Sequence, residues 1–148
     1  MQHLQIAETV RQQKARYCRF IDTRQWEALA GLLKADIEVV IYDADDIVLA
    51  TFSSAPAFIT ATQEFLADAR SSHQVHNSEL SVEADGRVAV IWSMQDRIVR
   101  TPRDGTPATT MRGYGHYHEI WEHVGGAWLI ARLELRRTIL DITKEARS

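Results

Sequence analysis

Apolar positions recur at helical spacing in the first third of the chain and give way to alternation after it. Val10, Lys14, Tyr17 and Ile21 stand four, three and four residues apart. They form one stripe of a helix over the first twenty residues, with Lys14 as its polar interruption. Gln12, Gln13, Arg16 and Arg19 cover the wet side. Asp22, with Gln25 three residues on, resembles a capping box for a second helix whose apolar face is Trp26, Leu29, Leu32 and Leu33. After Asp36 the period changes. Glu38 to Tyr42 and Ile47 to Phe52 read as two short strands joined by the acidic turn Asp43-Ala44-Asp45-Asp46. Ser53-Ser54-Ala55-Pro56 then starts a third helix, with Pro56 near its first turn and Phe58, Thr62, Phe65 and Leu66 on its apolar side.

The remaining half alternates. His73 to Val82, Val88 to Val99, Thr110 to Val124 and Ala127 to Ile139 are strand candidates. Ala84-Asp85-Gly86 and Gly125-Gly126 mark hairpin turns, and Pro102 to Pro107 a polar loop. Residues 141–148 are polar and read as a mobile tail. Helices first and consecutive antiparallel strands after them predict an α+β fold in one domain, residues 1–148. Three helices cannot cover both faces of a sheet of about six strands, so a homo-oligomer is expected.

Composition narrows the class without naming a chemistry. The 148 residues are 45% hydrophobic and 25% charged, as in an ordinary single globular domain. The net charge of −3 provides no field to capture nucleic acid. No apolar run approaches the roughly 20 residues that cross a bilayer. The first residues lack the pattern of a signal peptide, and Cys18 is the sole cysteine, so a cytoplasmic protein is expected.

Several side chains could carry chemistry. His73 and Val75 alternate onto one face with Asn77, and His76 onto the other. An imidazole facing an apolar interior is a candidate general base, because it titrates near neutrality; it can equally be a satisfied core histidine. Asp22 reads first as a helix N-cap, and a role beside His73 requires its carboxylate to turn inward. Tyr17, on the inward stripe, is core packing or a hydrogen-bond donor to a developing oxyanion. Val88, Val90, Trp92, Met94 and Asp96 share one parity. A carboxylate ending that apolar row must find a partner or reach solvent. Arg137 is the candidate partner, in the site or as a surface ion pair at the sheet rim. His116 and His118 share a strand face, and with His73 and His76 they invite a metal hypothesis. No cysteine or carboxylate completes a ligand set, so no metal is expected.

In order, Tyr17-Cys18-Arg19-Phe20-Ile21-Asp22 with Trp26, Ser72-His73-Gln74-Val75-His76-Asn77-Ser78-Glu79, Trp92-Ser93-Met94-Gln95-Asp96-Arg97 and Gly113-Tyr114-Gly115-His116-Tyr117-His118-Glu119 resemble the SnoaL-like proteins of the nuclear transport factor 2-like superfamily. The strand Trp128 to Arg137 completes the set, which spans residues 5–140. The nearest branch in likeness is the bile acid 7α-dehydratases, with scytalone dehydratase and hexachlorocyclohexane dehydrochlorinase more distant. The resemblance implies a cone-shaped α+β barrel and a cofactor-independent elimination of water or HCl by a His–Asp dyad. It places that dyad on His73 and Asp22, the family's tyrosine on Tyr17, and a functional aspartate and arginine on Asp96 and Arg137. A further tyrosine of the bile acid branch has no counterpart, since Ile41 stands there.

The implied function is a dehydratase-type lyase acting on a small, mostly apolar, cyclic or steroid-like molecule. Trp92, Met94 and Tyr117 are expected to line its pocket. The alternatives are an isomerase or cyclase with the same base, or a non-catalytic module that binds a small ligand. The resembled dehydratases imply a trimer, the wider superfamily a dimer.

Overall fold

The computed structural model describes residues 1–103 and 105–144. Its elements are α1 (Gln2–Asp22), α2 (Trp26–Ala30), β1 (Leu33–Tyr42), β2 (Val48–Phe52), α3 (Ala55–Phe65), β3 (Ala69–Val82), β4 (Val88–Arg100), β5 (Thr109–Val124) and β6 (Ala127–Lys144). The helical stripe at the start of the chain is the buried face of α1, which includes Val10, Lys14, Tyr17, Cys18 and Ile21. α3 starts as its sequence demands: the Ser54 hydroxyl accepts from the Ala57 N–H, with a proline in the first turn.

The six strands form one sheet in the order β2-β1-β6-β5-β4-β3. β1 and β6 run parallel, and the other neighbouring pairs are antiparallel. The three helices pack against one face of this open sheet, giving the cone-shaped α+β fold. Val88, Val90, Trp92, Met94, Asp96 and Ile98 of β4 are buried on alternate positions. Gly113, Gly115, Tyr117, Glu119 and Trp121 of β5 are buried in the same alternation. Gly125 and Gly126 both take positive φ, 57° and 84°, as a two-residue hairpin between twisted strands requires.

Several boundaries differ from the sequence reading. α2 stops at Ala30, and Leu33 opens β1 instead of ending a helix. There its backbone pairs with Ile130, so sheet pairing outweighs helical spacing. β3 begins at Ala69, four residues ahead of His73. β6 continues through Lys144, which pairs with Thr109, so 141–144 are strand and not tail. Residues 145–148 lie outside the described residues. A β-bulge between Val75 and Ser78 inserts one extra residue opposite β4. It resets the alternation, so Asn77 is exposed and does not share the face of His73.

Candidate active site

Asp22 is where local pattern and structure part. α1 closes with Arg24 in the left-handed region, at φ 59°. The Gln25 N–H donates to the Phe20 carbonyl (2.8 Å) and the Arg24 N–H to the Ile21 carbonyl (3.2 Å). This is the Schellman arrangement, which puts Asp22 inside the last turn of α1. The N-cap of α2 is Gln25, without a side-chain cap, so Asp22 is not an N-cap. Freed from the helix amides, its carboxylate turns to β3. It accepts from the Ser71 hydroxyl (2.8 Å) and the His73 backbone N–H (2.8 Å). Its third partner is Nδ1 of His73, at 2.7 Å.

That contact sets the imidazole. An ionised carboxylate only accepts, so Nδ1 carries a proton, and in the neutral ring the lone pair then lies on Nε2. Nε2 stands 3.9 Å from the Asp96 carboxylate. Asp96 is itself clamped by Arg137: Nη1 and Nη2 each donate to one carboxylate oxygen at 2.9 Å. Both side chains are buried, at 2% and 7% exposure, so this is an interior pair and not a rim contact. Burial opposes the Arg137 charge, but the Asp96 hydrogen bond and charge outweigh it and raise its pKa above the usual arginine value. The pair lies across the backbone of Gly113. A Cβ there would come within 1.8 Å of Arg137 Nη1 and 2.4 Å of Asp96 Oδ1.

His73, Asp96, Arg137, Tyr17 and Tyr117 all line one cavity of about 350 Å³. Its other walls are mostly apolar, with Phe52, Phe58, Ile98 and Leu135 among them. Ile41 is also a wall residue. Burial, then the Glu119 carboxylate, then Cys18 hold the Tyr17 phenol well above its usual pKa, so its hydroxyl stays protonated and able to donate. Burial likewise pushes the Cys18 thiol up to about 11. Six of the eight expected site residues thus converge: Tyr17, Asp22, His73, Asp96, Arg137 and Tyr117.

The expectation that Trp92 and Met94 line the pocket fails. Trp92 and Met94 are buried on the inward face of β4 but do not line the cavity. The Trp92 indole N–H is spent on Glu119, at 2.8 Å. They belong to the packed core beside the cavity. His76 is exposed and contacts Gln95 Nε2 at 3.0 Å through its ring. His116 and His118 alternate with the inward residues of β5, away from His73. Among the described residues no group of three or more His, Cys, Asp or Glu converges as a metal site.

The local reading also missed residues that matter. Ser71 steadies Asp22, and its alternation with His73 was a usable signal. The buried ion pair of Lys14 with Glu119 was announced only by a lysine on an apolar stripe and a glutamate at the parity of Tyr117 and Trp121.

Residues 2–134 match the SnoaL-like domain family. The curated relative Probable cyclase FGR4 of Gibberella zeae is 24% identical over 139 residues, spanning 90% of this chain and 91% of the relative. The chain is similar to a Novosphingobium aromaticivorans structure provisionally assigned as a scytalone dehydratase, with a TM-score of 0.76 at 20% identity over 99% of this chain and 91% of that one. A type 2 hexachlorocyclohexane dehydrochlorinase gives a TM-score of 0.79 at 16% identity, covering 97% of this chain and 91% of that one. No helix among the described residues is long and apolar enough to cross a membrane.

Proposed function

The chain belongs to the SnoaL-like family, and from that membership and the His73–Asp22 geometry we propose that it is a cofactor-independent lyase. The reaction is a dehydratase-type elimination on a small, mostly apolar, cyclic or steroid-like molecule. The carrying observation is the 2.7 Å contact from Asp22 to Nδ1, which leaves Nε2 as a base beside an apolar cavity.

Nε2 of His73 takes a proton from a carbon next to a carbonyl. The C–H electron pair becomes the new double bond as the carbon–oxygen bond to the leaving hydroxyl breaks. Asp22 holds the tautomer and stabilises the imidazolium that forms, as a triad aspartate does. The Tyr17 hydroxyl donates to the carbonyl oxygen, where charge develops. The proton held by His73 is returned to the departing oxygen, which leaves as water. Asp96 accepts from Arg137 through both carboxylate oxygens, so that pair presents little net charge and orients polar substituents of a neutral substrate. Tyr117 is a wall of the same pocket.

Cyclisation by the same base is the second reading, favoured by the 24% identity with Probable cyclase FGR4. Both begin with the same proton removal, and so does isomerisation. A homo-oligomer, trimeric as in the resembled dehydratases, and a cytoplasmic location complete the proposal.

The test identifies co-purified cavity ligands by mass spectrometry and selects cyclic hydroxyketones of matching size. Wild type is expected to exchange the carbon-bound proton with deuterium oxide, and elimination adds the absorbance of a conjugated enone. His73→Ala is expected to lose both while remaining folded. Exchange by His73→Ala at the wild-type rate overturns the proposal.

A further inference from the structure

Lys14 and Glu119 form a fully buried ion pair that the proposed chemistry does not use. Lys14 Nζ donates to Glu119 Oε1. Its ammonium also sits between two aromatic faces, 3.8 Å from the Tyr17 ring centroid and 3.7 Å from that of Tyr117. Those rings meet edge to face, with centroids 6.3 Å apart. Glu119 Oε2 accepts two indole N–H groups, from Trp92 at 2.8 Å and Trp121 at 2.9 Å. One cluster therefore joins α1, β4 and β5 through six side chains.

Stability does not explain such a cluster. A buried ion pair loses hydration that its mutual attraction need not restore, and apolar replacements of similar volume are often as stable. Its directional partners are another matter. An ammonium presents three donors, and here one meets a carboxylate while two aromatic faces flank it. Both flanking rings belong to tyrosines that line the cavity. Lys14 also precedes Tyr17 and Asp22 on the same helix, so anchoring it to β5 sets the position of α1 where both project.

The geometry points to Lys14 and Glu119 as positioning residues that hold the Tyr17 and Tyr117 rings, and through α1 the Asp22 carboxylate, in register with His73. This rests on the proposed role of Tyr17 and His73 and extends it to a pair outside the cavity. Lys14 touches no substrate; it acts through the rings on either side of it.

The test compares wild type with Lys14→Met/Glu119→Gln. The double variant removes both charges while a glutamine oxygen still accepts from the indoles, so it keeps a folded core where Lys14→Met alone would strand a carboxylate. Two readouts follow. Tyrosine-selective NMR reports ring flipping, and the downfield Nδ1–H signal of His73 reports the bond to Asp22. Deuterium exchange into the substrate gives kcat and KM separately. The expected result is faster Tyr17 flipping, a shifted His73 signal, and a kcat lower by about tenfold or more with KM little changed. Wild-type ring dynamics and His73 signal in the double variant overturn the inference, and so does wild-type kcat. Should wild type exchange no substrate proton, the functional reading fails, and the NMR comparison alone decides whether the pair positions the tyrosines and the dyad.

Discussion

Asp22 sits where helix electrostatics disfavour it. A carboxylate in the last turn meets the negative end of the α1 dipole, at a cost of ~0.3–1 kcal/mol. Its bonds to Ser71 and His73 offset that cost and tie it to the imidazole. Asp22→Asn removes the unfavourable charge and weakens those bonds together, so unfolding stability is expected to shift by less than ~1 kcal/mol. Activity is expected to fall by at least ~10², since an amide neither enforces the tautomer nor stabilises the imidazolium. Turnover and melting temperature of the variant beside wild type check both; full activity would remove Asp22 from the dyad. At this scale Tyr17, Asp22, His73, Asp96 and Arg137 were legible because the ordered family resemblance named them. The Lys14–Glu119 pair was not, because its partners are 105 residues apart and only the register of β5 against α1 joins them.

Glycines and bulges, more than strand propensity, shape the elements around the site. Gly113 has no Cβ, and Asp96 and Arg137 occupy the space one would take. Gly115 is equally constrained, since its Cβ would lie 2.1 Å from the Arg136 carbonyl oxygen where β5 and β6 shift register. Gly113→Ala is expected to lower stability by ~1–3 kcal/mol through overpacking. It is also expected to splay the Asp96–Arg137 pair and reduce activity. Denaturant unfolding and turnover of the variant test this, and wild-type values for both would show that the pair shifts without consequence. The long strands were legible because inward apolar residues alternate cleanly, as along β4. The capping-box reading failed because Asp-x-x-Gln suits a helix start equally well as a helix end; the left-handed Arg24 decides, and nothing in its side chain announces that conformation. Asn77 was misplaced because an alternation count cannot see the bulge that precedes Ser78.

For the whole molecule, the helices occupy one face of the sheet, which leaves the other open to solvent or to a second copy. An open groove of about 510 Å³ crosses that outer face, lined in part by Glu79, Ile91, His118, Arg132 and Glu134. Light scattering is expected to give a homo-oligomer, and a monomer at high concentration would refute it. The interior sets a different limit. Burial raises the pKa values of Tyr17, Tyr117 and Cys18 together, the thiol to about 11. Each is an acid that holds its proton more tightly folded than unfolded, so its contribution is intact below the unfolded pKa. That contribution falls as pH climbs from the unfolded toward the folded value, because the unfolded chain releases protons first. The unfolded values are ~8.5 for a thiol and ~10 for a phenol. Each group then removes up to ~1.4 kcal/mol per pH unit within its window. Melting temperature is therefore expected to hold from pH 7 to about pH 8.5 and to drop with increasing steepness above pH 10. Tyr117→Phe, which keeps the ring beside Lys14 and deletes one buried proton, should lessen the slope above pH 10 by about one proton's worth. An identical slope in the variant would mean that Tyr117 ionises no harder folded than unfolded.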